Sequence, residues 1–187
     1  MRLGIADHFG WAVAVTANAE HEVVDRRRIE LVEPGVTPAP VHYDSRHLTY
    51  EQTEVLVAGV RSSIGRASSL ALDRLAGDVV GESESIVSMS LRAWPDDFPD
   101  DLATQCRAPY EARADAIMYR RILAELAEAR GWEIHVYRAK DVEQQAAAIL
   151  GDQADELLWG PRQQLGPPWA KDHRVALAAT VVAAAIE

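Results

Sequence analysis

The sequence is short of four things. It has one cysteine, Cys106, so no internal disulfide can form and no cysteine-based metal site is available. Cys106 itself reads as a small, half-buried residue near a helix start. It has no apolar run of about eighteen residues, the length a membrane-spanning helix needs. It also begins "MRLGIADHFG", with no long apolar signal core and no small-residue cleavage site, so a mature cytoplasmic protein is expected. Finally, it is short of positive charge: 19 basic residues stand against 29 acidic ones, a net charge of −10. That deficit counts against tight, non-specific nucleic-acid binding, which depends on neutralising phosphates, but it leaves room for a local basic patch. Lys140 and Lys171 are the only lysines, so the other 17 basic residues are arginines, a bias we attribute mainly to a GC-rich coding genome.

What is present fits one domain of 187 residues, 48% of them apolar and 26% charged, as in an ordinary soluble globular protein. Residues 2–6 and the alternating "GWAVAVTA", 10–17, read as strands, and "NAE", 18–20, as a turn. "HEVVDRRRIELVE", 21–33, reads as a third extended segment with Val24, Arg26, Arg28 and Glu30 on one wet face and Arg27 pointing the other way. Residues 34–49, with three prolines, read as a loop, functional or mobile by its length. Thr49 and Gln52 then make a capping box for a long helix with an apolar stripe of Val55, Leu56, Val60, Ile64 and Leu70 or Ala71, in which Gly59 and Gly65 predict a kink or close packing. "SIVSMSLRAW", 85–94, is a strand and "PDDFPDD" an acidic loop. "APYEARADAIMYRRILAELAEARGW" is a helix with a core face of Ala114, Ile117 or Met118, Ile122, Leu126 and Ala129, ended by Gly131. Residues 132–139 form a strand. Asp141 caps a helix to about Leu150, residues 152–168 are irregular or a short helix, and "AKDHRVALAATVVAAAIE" is a buried terminal helix, apolar on nearly all sides.

Asp7, in "LGIADHFGWAVAV", is a charge inside an apolar run. It is either a turn aspartate bonded to the backbone of "HFG" or a site residue with a partner. Asp172 is either the N-cap or first-turn acid of the last helix or a ligand, and one carboxylate can do both. His42 and His47, on the proline-rich loop, are candidates to bind a metal or cover a site. His21 and His135, in strands, read as ordinary. Arg113 and Arg120 share a helix face, with Asp115 and Tyr119 as an i, i+4 pair beside it. That face is either solvated and salt-bridged or the wall of a site for an anionic substrate. Trp169, in "GPPWAKDH", is either core or a stacking platform.

The element order β-β-β-α-β-α-β-α-α resembles that of the ribonuclease H-like fold, with three antiparallel strands followed by helices alternating with parallel strands and a buried C-terminal helix. "GIADHFGWAVAV" is similar to the first-strand signature of its RuvC and YqgF branch, and "KDHRVALAATVVAAA" to that branch's last helix. The likeness extends to members of large bacterial sets that carry no assigned function. It implies a nuclease-like hydrolase in which carboxylates hold two metal ions, Mg2+ or Mn2+, that activate a water and stabilise a leaving oxygen. Carried over by position, Asp7 is the first-strand acid and Asp172 the last-helix acid. Both would bind the metal, with His173 beside Asp172, where the resembled branch also has a histidine; His8, beside Asp7, has no counterpart there. The family also takes an acid from the fourth strand or the helix after it. Here that strand ends in Arg92, and the nearest acids are Glu82, Glu84, Asp96 and Asp97, with Glu51 and Glu54 as further substitutes.

Two functions follow. The first is a divalent-metal-dependent phosphodiester hydrolase acting on a nucleic acid or nucleotide, with Asp7, His8, Asp172 and His173 as catalytic residues in one polar cluster, with Lys171, Arg113, Arg120 and Trp169 meeting substrate, and with Arg92 as a further candidate to meet phosphate. The second is a catalytically inactive binding or interaction protein on the same fold, in which the Ala-rich last helix and the stripe on residues 114–129 feed a homodimer interface. A close pair of Asp7 and Asp172 carboxylates with a third acid nearby would favour the first. A lysine or arginine salt-bridged into that gap would favour the second.

Overall fold

The computed structural model describes residues 1–79 and 85–186; Glu82 and Glu84 lie outside them. Strands β1 (Arg2–Asp7) and β2 (Trp11–Ala17) form an antiparallel hairpin, and β3 (Val23–Glu30) pairs antiparallel outside β2. Strands β4 (Ser88–Arg92) and β5 (Glu133–Tyr137) extend the sheet in parallel on the other side of β1, giving the order β3-β2-β1-β4-β5. Parallel neighbours need crossover connections, which helices α1 (Tyr50–Val79) and α3 (Glu111–Glu128) supply. A short helix α2 (Leu102–Gln105) precedes α3. After β5 come α4 (Val142–Leu150), α5 (Ala154–Trp159), α6 (Pro161–Leu165) and α7 (Lys171–Ala184). The expected order is therefore present, with three short helices added to it. Among the described residues no helix is long and apolar enough to cross a membrane.

The pleat of the sheet sorts side chains to two cores. Leu3, Ile5, Ala12 and Ala14 point to the layer of α1 and α3. Ala6, Val13 and Val15 point to the layer of α4 and α7. The second layer sits unusually close to β1. A Cβ built on Gly4 would lie 1.9 Å from the Ala176 carbonyl oxygen, so only glycine lets the α7 backbone rest against the strand. The alanine-rich sequence of α7 follows from the same contact, since Ala176, Ala178 and Ala179 are all buried.

Several local expectations change. The capping box of α1 is formed reciprocally: the Thr49 N–H donates to Gln52 Oε1 at 2.9 Å and the Gln52 N–H to Thr49 Oγ1 at 3.3 Å. Its buried stripe is rotated from the predicted one, however. Val55 and Leu70 are exposed while Val57, Leu72 and Leu75 are buried, because Thr53, Ser63 and Ser68 occupy core-facing positions that a purely apolar count passes over. The helix runs unbroken through Gly59 and Gly65, and neither makes a close contact. His21 lies in the turn before β3 at φ 66°, not in a strand, because the chain reverses there through the His21 N–H to Asn18 carbonyl bond. The N-cap of α7 is Ala170, with Asp172 in the first turn.

The proline-rich loop is held down. Its residues 40–47 form a π-helical and a 3-10 turn. Asp115 of α3 accepts the Val41 N–H at 3.0 Å and the His42 N–H at 2.8 Å. One turn further along α3, the Tyr119 hydroxyl donates to the Pro38 carbonyl at 3.0 Å. Asp115 and Tyr119 are thus buried pins, not members of a solvated helix face.

Candidate functional site

The carboxyl ends of β1, β4 and β5 lie side by side, and each ends in a polar residue: Asp7, Arg92 and Tyr137. In open α/β sheets this is the edge at which ligands bind. Asp7 is odd-numbered in β1, so the pleat turns it to the α3 side. There Arg120 Nε donates to Asp7 Oδ2 at 2.9 Å, and Arg92 Nε lies 3.9 Å from Oδ1. The Asp7 side chain is 2% exposed and that of Arg120 12%. Arg120 also donates to the Ala93 carbonyl at 3.3 Å. Beneath them the Tyr137 hydroxyl donates to the Ile5 carbonyl at 2.6 Å, and burial pushes its pKa well above the phenol range. In this ion-paired group, Asp7 Oδ1 and Arg92 Nε are buried without a hydrogen bond.

His8, one residue on, faces the opposite layer. The tight β1–β2 turn is closed by the His8 N–H to the Trp11 carbonyl at 2.9 Å, with Gly10 at φ 83°. The His8 ring stacks on Trp11 at 4.1 Å between centroids and 11° between planes. His8 Nε2 meets Asp172 Oδ2 at 3.0 Å. Arg28 of β3 also lies over the Trp11 ring, 4.2 Å from its centroid.

Asp172 therefore meets His8 and not Asp7. His173 turns back on its own helix start, where Nδ1 accepts the Ala170 N–H at 3.2 Å. Burial, and then Arg26, lower its pKa, in keeping with a neutral acceptor ring. Lys171 is exposed at the end of α7. Trp169 is buried, donating Nε1–H to the Leu158 carbonyl at 2.9 Å; it is part of the core and not an open stacking platform. His42 lies beside Tyr43 and donates its backbone N–H to Asp115.

A divalent ion needs several oxygen ligands converging on one point. Among the described residues no group of three or more His, Cys, Asp or Glu is placed to hold one. Asp7 faces guanidinium groups, and Asp172 lies with a histidine on the other side of the sheet. Neither Asp96 nor Asp97 joins them, and the fourth-strand position is Arg92. These residues do not fit a two-metal site.

Beside Arg120 opens a cleft of about 650 Å³, lined by Trp94, Arg113, Ile117, Arg120 and Arg138 among others. Arg113 and Arg138 are exposed. Arg92 is expected from the sequence, with Arg113 and Arg120, to meet phosphate, whereas Arg138, which follows β5 and lines this cleft, is not singled out there because nothing in its spacing ties it to α3.

The sheet order, the buried last helix against β1 and the polar carboxyl end define a ribonuclease H-like fold of the RuvC kind. Among solved structures the chain is similar to Thermus thermophilus RuvC in complex with Holliday junction substrate, with a TM-score of 0.50 and 12% identity over 96% of this chain and 89% of that one. A second Thermus thermophilus RuvC structure gives 0.47 and 12%, over 96% and 90%. No family model matches the chain, and no curated protein matches it.

Proposed function

We propose that this chain is a ribonuclease H-like binding protein that takes an anionic ligand at the carboxyl ends of β1, β4 and β5, without metal-dependent phosphodiester hydrolysis. The observation that carries this reading is the ion pair of Arg120 with Asp7 at 2.9 Å, reinforced by Arg92 at 3.9 Å. A cation entering at Asp7 would have to displace one guanidinium and sit beside another, in a buried setting where like charges repel strongly. An anion meets the opposite field.

The hydrolase reading is favoured by one observation, the likeness in fold to a RuvC solved with a Holliday junction substrate. Fold alone does not carry function across. Calorimetric titration of manganese into the pure protein separates the two, with Asp7→Asn and Asp172→Asn in parallel. The expected result is no binding at millimolar manganese and no cleavage of a labelled four-way DNA junction. Manganese binding that either substitution abolishes would overturn the reading and restore Asp7 and Asp172 as metal ligands.

A further inference from the structure

The non-metal reading leaves open what kind of anion the site takes. The cleft itself has two unlike walls. One is cationic: Arg113 and Arg120 come from α3 two turns apart, and Arg138 follows β5. Arg120 is committed to Asp7. The Arg113 and Arg138 guanidinium groups have neither hydrogen bond nor ion pair among the described residues, and both are exposed at the mouth. The other wall is apolar: Trp94, Ala112, Ala116 and Ile117. The Trp94 indole is half-buried, with one part packed on the core and the rest in the cleft. Behind Arg120, the Asp7 carboxylate keeps one buried oxygen, Oδ1, without a hydrogen bond.

Forked guanidinium groups match phosphate oxygens bidentately, and an indole face takes a planar ring. The volume of about 650 Å³ lies within the range of small-molecule sites, roughly 300–1,000 Å³. A polyanion would fare worse. Asp96 lines the mouth, Asp97, Asp100 and Asp101 follow it, and the chain carries a net charge of −10, so successive phosphates leaving the cleft would meet repulsion.

Building on the non-metal reading, we propose that this cleft binds a small phosphorylated ligand of the mononucleotide class, its phosphate on Arg113 and Arg138 and its ring against Trp94. The test is calorimetry of adenosine 5′-monophosphate, inorganic phosphate and a single-stranded 20-mer DNA, each titrated into the full chain in metal-free buffer with chelator. The mononucleotide should bind at least tenfold more tightly than inorganic phosphate. Arg113→Ala combined with Arg138→Ala should weaken it tenfold or more, and both positions are exposed, so the fold should stand; a circular dichroism spectrum checks this. Trp94→Leu should bring the mononucleotide down to the level of inorganic phosphate. No binding at millimolar ligand, or binding that the arginine substitutions leave unchanged, overturns the proposal. Tighter, arginine-dependent binding of the 20-mer also overturns it, in favour of a nucleic acid. These failures leave the non-metal reading standing. That reading falls if manganese binds at Asp7 or Asp172 or if the four-way junction is cleaved.

Discussion

Asp7 and His8 are neighbours in the chain and belong to two different environments. Asp7 is almost fully buried between α3 and the end of β4, against two arginines. His8 is about one-third exposed, stacked on Trp11 and bonded to Asp172, itself about one-third exposed. The pleat of β1 produces this division, since a one-residue step along a strand crosses the sheet. What looks in sequence like one aspartate–histidine unit is two sites, one for each face. The two also differ in energetics. A buried ion pair is costly to break because the surviving charge has no water to turn to, whereas a half-exposed pair loses little.

The largest expected effect follows from the buried side. Asp7→Ala should destabilise the protein by about 3–5 kcal/mol, because it leaves the Arg120 guanidinium uncompensated. Asp7→Leu combined with Arg120→Met should recover most of that loss, since apolar groups of similar size can replace a buried pair. Urea unfolding of the three variants checks this. An unchanged midpoint for Asp7→Ala would mean that Asp7 is not held by the arginines, and the contrast with His8 would collapse.

The fold could be read from the sequence further than the site could. The arrangement of the strands comes with the family resemblance, and the Gly4–Ala176 contact emerges only once the two ends of the chain are brought together. The element order and the buried last helix follow from local apolar patterns. The unusual charge at Asp7 was visible for the same reason, as an acid in an apolar strand. Its partner was not. Arg120 lies 113 residues away, on a helix face whose period-seven arginines suit a solvated surface equally well. Asp172 was legible as a member of the polar cluster, but its match is His8 alone, because the alternation along β1 puts Asp7 and His8 on opposite faces and the last helix packs on the face of His8. Asp115 was misplaced for a related reason. A carboxylate on a helix reads as exposed unless one knows that a loop brings two N–H groups to it.

Asp115 offers an intermediate case: a buried carboxylate like Asp7, but held by backbone N–H groups instead of guanidinium. Burial is the largest influence on it and raises its pKa to about 6. A raised acid pKa means that the folded state takes up the proton first. Its contribution to stability is therefore full below about pH 4 and is lost as pH rises through about 6. His173 and His21 work in the opposite direction. Burial lowers both, so their contributions hold above the ordinary histidine range and are lost as pH falls through the folded values. Between pH 7.5 and 5.5 the two trends partly cancel. Asp115→Asn removes one of them, so its urea midpoint should fall more steeply on acidification than that of the parent. At pH 7.5 the substitution should also cost about 1–3 kcal/mol, since an amide can accept only one of the two N–H bonds well. Parallel slopes for the two proteins would show that Asp115 does not titrate in this window.

The smallest effect belongs to the exposed side, and it measures the contrast most directly. The His8–Asp172 contact spans 3.0 Å with side chains 37% and 31% exposed, so water competes for both groups and salt screens them. A double-mutant cycle with His8→Ala and Asp172→Ala should give a coupling of about 0–1 kcal/mol, whereas the Asp7–Arg120 cycle should give several times more. His8→Ala should still alter the tryptophan emission, because it strips one face of Trp11 from its stacked partner, while Asp172→Ala leaves the ring in place and should alter emission less. Raising salt should erase the His8–Asp172 coupling and leave the Asp7–Arg120 coupling nearly intact, because solvent ions reach only the first. Equal couplings at low salt would mean that burial does not separate the two sites. Asp172 would then have to be counted with Asp7 as part of a single polar centre.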